Sequence, residues 1–147
     1  MREFKKDKLK VKVFKNRLEL GIAAGEEFTE KLKELLKTRE YVNVIFASAP
    51  SQNEFLAELN KKEIEWNRIN AFHMDEYVGL DKDAPQGFGN FLKDRLFQNV
   101  ACREVHYMNG NTSDIQEECL RYAGLLTKYP TDIVILGIGE NSHLAFN

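Results

Sequence analysis

Five short runs of β-branched and apolar residues, separated by stretches of helical periodicity, constrain this chain more than any other feature. The runs are 11–14 (inside "KVKVF"), "VNVIFA" (42–47), "RINAFH" (68–73), "EVHYM" (104–108) and "DIVILG" (132–137). Short, mostly apolar runs of this kind are what a sheet buried on both faces requires. Between the first two, Leu18, Ile22, Ala23, Phe28, Leu32, Leu35 and Leu36 fall close to helical spacing, which predicts a helix over 18–37 with Asn16 as its cap. Helices are also predicted over 53–62, 87–100 and 114–129, the last with Ser113 as N-cap and Glu117 near the place a capping box needs. Regular strand–helix alternation predicts a single three-layer α/β domain over 1–147. Its sheet is mainly parallel, with helices on both faces, a Rossmann-like arrangement.

Composition narrows the class. The chain has 43% hydrophobic and 30% charged residues and a net charge of −2, ordinary for a globular domain with a core and too weak for a nucleic-acid surface. The lysines of "KKDKLKVK" read as the solvated face of the first strand. There is no apolar run of about 18 residues to span a membrane, and "MREFKKDKLK" lacks an apolar signal core. Cys102 and Cys119 have neither metal nor redox spacing, which predicts reduced thiols in a cytoplasmic protein. The last strand runs into a polar loop close to Asn147, so the chain is expected to be the first part of a larger domain. The sheet edge that such a piece leaves open favours self-association into a homo-oligomer.

In a parallel α/β sheet, ligands bind outside the carboxyl ends of the strands. Three polar loops leave those ends. In "SAPSQN", Ser48 and Ser51 offer hydroxyls and a helix start offers N–H groups to an anion such as phosphate. A plain turn capped by Ser51 or Asn53 is the simpler alternative, and Gly-Lys-Ser/Thr, the mark of a P-loop, is absent. "GIGENSH" lacks the third glycine of a dinucleotide loop. Its glycines instead let the chain turn and present Glu140, Asn141 and His143, and a histidine held this way can shuttle protons near neutral pH. In "HMDEYVGL", His73 and Asp75 are too few ligands for a metal. A strand-end carboxylate in a cleft suits a general base. Alternation points Asp75 and Glu76 in different directions, so only one of them faces a given ligand.

"MDEYVGL", the later "GIGENSHLAFN" and the intervening "NGN…C-x-x-Y" resemble the glucosamine-6-phosphate deaminase (isomerase) family, over about Val11 to Asn147. The resemblance implies isomerisation of an amino-sugar phosphate with loss of ammonia, giving fructose 6-phosphate. Asp75 would be the base that moves a proton from C2 to C1. His143 would open the sugar ring by moving a proton between O1 and O5, with Glu140 and Asn141 beside it in the catalytic set. Ser48, Ala49, Pro50, Ser51 and Gln52 would hold the phosphate, and Glu76 and Gly139 would also contact the sugar. No metal and no organic cofactor is implied; the partner is a phosphorylated hexose. The chain departs from the family where "ASAPS" replaces Gly-Gly-Thr/Ser-Pro. It departs again where Glu140-Asn141-Ser142-His143 replaces Asn-Asp-Gly-His. Two other readings stand beside this one: a 6-phosphogluconolactonase-like hydrolase, and a sugar-phosphate-binding protein without turnover.

Overall fold

The computed structural model describes residues 1–144. Its elements are β1 (Arg2–Lys6), β2 (Leu9–Val13), α1 (Arg17–Leu36), β3 (Val42–Phe46), α2 (Asn53–Leu59), β4 (Ile69–His73), α3 (Phe88–Leu92), β5 (Glu104–His106), α4 (Ile115–Lys128) and β6 (Ile133–Val134). The main sheet has the order β5-β4-β3-β6, and all three of its pairings are parallel.

The strand predicted at 11–14 does not join this sheet. It pairs antiparallel with β1 in a separate hairpin, closed by a two-residue turn in which Asp7 takes φ 53. The physical reason is amphipathic weakness. Every residue of β1 is exposed and β2 is at most half-buried, so neither strand can fill the middle of a two-sided layer. Lysine-rich exposed strands are what a free edge tolerates.

Within the sheet, strand alternation divides the core. Val42, Val44 and Phe46 of β3 pack with Ile69 and Ala71 of β4 against Phe28, Leu32, Phe55, Leu56, Leu92 and Leu96 of the helices on one face. Ile45 and Phe72 point the other way and meet Tyr122, Leu125 and Tyr129 at α4. Helices therefore cover both faces, as expected. Two polar residues inside the strands satisfy each other: Asn70 Nδ2 donates to Asn43 Oδ1 at 2.8 Å across a register pair.

Local signals act as their chemistry dictates, with two corrections. Asn16 caps α1, accepting from the Glu19 N–H at 2.9 Å. The cap of α4 is Asp114, not Ser113; its carboxylate accepts from the Glu117 N–H at 2.9 Å, three positions on, where a cap must reach. The helix predicted over 87–100 is α only through Leu92 and then widens into a π turn, Lys93–Phe97. Gly21 lets α1 approach α2 closely: a Cβ there would sit 2.5 Å from the Glu54 Cβ.

Candidate active site

The sheet order locates the site. From β3 the chain moves outward through β4 to β5, then returns to add β6 on the other side of β3. The direction of winding reverses between β3 and β6, and the loops leaving such neighbouring strands separate into a crevice. A cavity of about 480 Å³ opens there, within the size range of small-ligand sites. It is lined by three strand exits: Ala47–Ser51 after β3, Met74 and Asp75 after β4, and Gly137–Glu140 with His143 after β6, with Phe88 as a further wall.

After β3 the backbone stays extended through Ala49 and then enters a short 3₁₀ turn at Pro50. Arg17 fastens this turn, donating Nη2 to the Pro50 carbonyl at 2.6 Å while its fork holds Glu54. The Ser48 hydroxyl is buried and has no hydrogen-bond partner among the described residues. Gln52 is buried behind the loop and donates to Ser51 Oγ at 3.1 Å; it is not among the lining residues.

After β4 the two adjacent acids part. Asp75 lines the cavity. Burial raises its carboxyl above the ordinary aspartate range, and the nearby Glu76 adds to the rise. Glu76 turns away into the start of α3. Its Oε1 accepts from the N–H groups of Tyr77 and Phe88, each at 2.9 Å, and its Oε2 from Gly89 at 2.8 Å. The structure thus gives Glu76 a helix-capping task, and Glu76 is not among the residues lining this cavity.

Both ring nitrogens of His73 have protein partners. Its Nδ1 is 2.8 Å from the Asp75 carbonyl oxygen, and its Nε2 accepts from the Met108 N–H at 2.9 Å. Among the described residues no cluster of three or more metal-ligating side chains occurs. Sequence reading missed this arrangement; the only signal was a histidine inside an apolar strand.

After β6 the loop folds back on itself. The Gly139 N–H donates to the His143 carbonyl at 2.9 Å, Ser142 takes φ 66, and Ile138 bridges Leu144. The His143 ring lies directly over Gly139, in the volume a Cβ would fill. Asn141 Oδ1 is hydrogen-bonded to His143 Nδ1. An amide oxygen only accepts, so Nδ1 carries a hydrogen, and in the neutral ring Nε2 is then the nitrogen able to take a proton. Asn141 therefore reaches the cavity through the histidine rather than lining it. Residues 145–147, the end of "HLAFN", lie outside the described residues.

A carboxylate with a raised pKa and an imidazole held by Asn141 thus share one crevice with a loop of hydroxyls. Such a set can move protons on a polar ligand.

Comparison with known proteins identifies the family and the fold. A glucosamine-6-phosphate deaminase of Bacillus thuringiensis is 35% identical over 132 residues, covering 87% of this chain and 50% of the relative. One from Bacillus anthracis matches with the same figures. The chain spans about half the length of the curated relatives it matches. The solved structure of a monomeric glucosamine-6-phosphate deaminase superposes with TM-score 0.82 at 27% identity, covering 90% of this chain and 56% of that one. A 6-phosphogluconolactonase from Thermotoga maritima superposes with TM-score 0.77 at 25% identity, over 91% and 61%. The family model for glucosamine-6-phosphate isomerases/6-phosphogluconolactonase matches residues 15–146, and the chain belongs to that family.

Proposed function

We propose that this chain carries the proton-transfer half of an amino-sugar phosphate isomerase/deaminase. The reaction converts glucosamine 6-phosphate, or a related amino-hexose phosphate, and water to fructose 6-phosphate and ammonia. The observation that carries the reading is the meeting of Asp75, His143 and the Ser48–Ser51 loop around one cavity at the switch point. In this reading His143 Nε2 relays the proton between ring oxygen O5 and O1, which frees the C1 aldehyde. The aldehyde acidifies the C2 proton. Asp75 takes that proton and returns one to C1 while a proton from the amino nitrogen passes to O1, leaving a C2 imine that water hydrolyses to ketone and ammonia. Glu140, also on the cavity wall, stands beside the histidine to balance charge during the relay. Ser48, Ala49, Pro50, Ser51 and Gln52 form the phosphate loop; the buried, unpartnered Ser48 hydroxyl is a group that a phosphate oxygen would satisfy. Gly139 admits the imidazole. The chemistry as drawn uses only these groups and water.

No helix among the described residues is long and apolar enough to cross a membrane, and with two free cysteines the reading is of a cytoplasmic enzyme. Val134, Leu136 and Ile138 are exposed at the β6 side, which supports association of copies along that edge.

The test is an assay of the chain on glucosamine 6-phosphate, following ammonia and fructose 6-phosphate together. Equal release of both supports the reading. Hydrolysis of 6-phosphogluconolactone without ammonia release would replace it with the lactonase activity of the other family branch. Tight binding of the amino-sugar phosphate with no product would replace it with a sugar-phosphate sensor.

A further inference from the structure

We infer that His73 is a positioning residue, whose imidazole fixes the backbone of Asp75 and thereby the direction of its carboxylate. The inference rests on Asp75 being the base. The β3–β4 ladder ends at the Phe46–His73 pair and the β4–β5 ladder at Phe72–His106. Asp75 lies two residues beyond the first end, and Met108 two residues beyond the second. No ladder rung reaches either. The imidazole spans this gap as a surrogate rung, touching Met108 N at 2.9 Å and the Asp75 carbonyl at 2.8 Å.

The proton assignment follows from the partners. An amide N–H only donates, so Nε2 accepts, and Nδ1 carries the hydrogen given to the Asp75 carbonyl. The ring is itself fixed. Only 1% of His73 is exposed, its ring packs at tilted and edge-on angles against Tyr107 and Tyr122, and its own backbone is clamped by the Tyr122 hydroxyl. That hydroxyl accepts from His73 N at 3.1 Å and lies 2.8 Å from His73 O. Burial also favours the neutral ring, over the opposing pull of Glu76. His73 is not among the residues lining the cavity, so its action on a ligand passes through Asp75.

Two isosteres separate the two hydrogen bonds. Asparagine places a donor where Nδ1 stands; glutamine places an acceptor where Nε2 stands. His73→Asn should keep the bond to Asp75 and hold kcat within a few-fold of the parent. His73→Gln should keep the bond to Met108, lose the bond to Asp75, and lower kcat about 10- to 10²-fold with KM unchanged, the scale of a small misplacement of a reacting group. The Asp75 carboxyl ¹³C resonance gives the same comparison without turnover: displaced in His73→Gln, close to the parent in His73→Asn. If the parent releases no ammonia, the proposed activity fails, and the resonance still decides the role of His73. Equal effects of the two variants, or greater damage from asparagine, overturn the inference. The unsubstituted protein supplies a third reading: ¹⁵N-histidine spectra must show the Nδ1–H tautomer for His73, and the Nε2–H tautomer refutes it whether or not the variants fold.

Discussion

Two adjacent acids, Asp75 and Glu76, should respond to the same chemical change in opposite ways. Replacing each carboxylate by its amide keeps shape and removes charge. Glu76 accepts three backbone N–H groups. Glutamine retains one carbonyl oxygen, which can serve Tyr77 and Phe88, and then turns an NH₂ toward the Gly89 N–H, donor against donor. One charge-assisted bond lost and one half-buried N–H left unpaired should cost about 1.5–3 kcal/mol. For a domain of this size that is roughly 3–12 °C in Tm. Turnover should fall by less than about tenfold, because the Glu76 side chain is outside the cavity. Asp75 behaves inversely. Its folded pKa is raised, first by burial and then by Glu76. The fold therefore favours the protonated acid. That stabilisation is complete below the unfolded pKa and is lost as pH rises through the folded one. At pH 7 the charged form is a burden, so Asp75→Asn should raise Tm at pH 7. The gain should vanish in acid below the ordinary aspartate range, where both side chains are neutral. Turnover should drop about 10²–10⁴-fold, the contribution of a positioned acid–base group. Thermal melts across pH, run beside the ammonia assay, read both. A Glu76→Gln variant with unchanged Tm and no activity would refute the division of labour, as would an Asp75→Asn variant that melts lower at pH 7.

Further outcomes follow from single contacts. Gly139→Ala should displace the His143 ring and lower turnover while leaving the far-UV spectrum and Tm close to the parent, since the loop lies outside the core; unchanged kcat would show that the ring position is not needed. Gly21→Ala should destabilise the fold, because overpacking against the Glu54 Cβ and backbone costs about 1–3 kcal/mol and exceeds the helix-propensity gain of at most ~1 kcal/mol; a stabilised variant in urea melts would show that α1 and α2 separate freely. A thiol reagent at pH 8 should modify the exposed Cys119 rapidly and the half-buried Cys102 far more slowly, since burial pushes the Cys102 thiol up to about 11; equal rates would show that its burial does not protect it. Activity should fall as pH drops through the raised pKa of Asp75, because the base must be ionised to accept a proton; a rate that rises with acid would exclude Asp75 from that role.

The amino-acid sequence by itself determined the local layer of this protein. Periodicity marked α1 within a residue at each end, the Asn16 cap followed from its side chain, and the four strands of the main sheet announced themselves by short runs rich in β-branched and apolar residues, although only β3 and β4 are buried while β5 is half-buried and β6 exposes Val134. Placing the candidate-site loops at strand carboxyl ends also needed only the alternation, because parallel strands put all such ends on one side. Tertiary structure decided the rest. Strand order is a long-range pairing that no local window encodes, and it is the insertion of β6 beside β3 that brings the His143 loop to the Ser48 loop. Alternation said that Asp75 and Glu76 diverge; which of them meets the cavity depended on where α3 begins, twelve residues further on, since its bare N–H groups claim the nearer carboxylate. His73 is the clearest case. In the sequence it is one polar residue ending a buried strand, and its use becomes visible only when Met108, thirty-five residues away, presents an N–H that a neutral imidazole alone can match while still donating to Asp75.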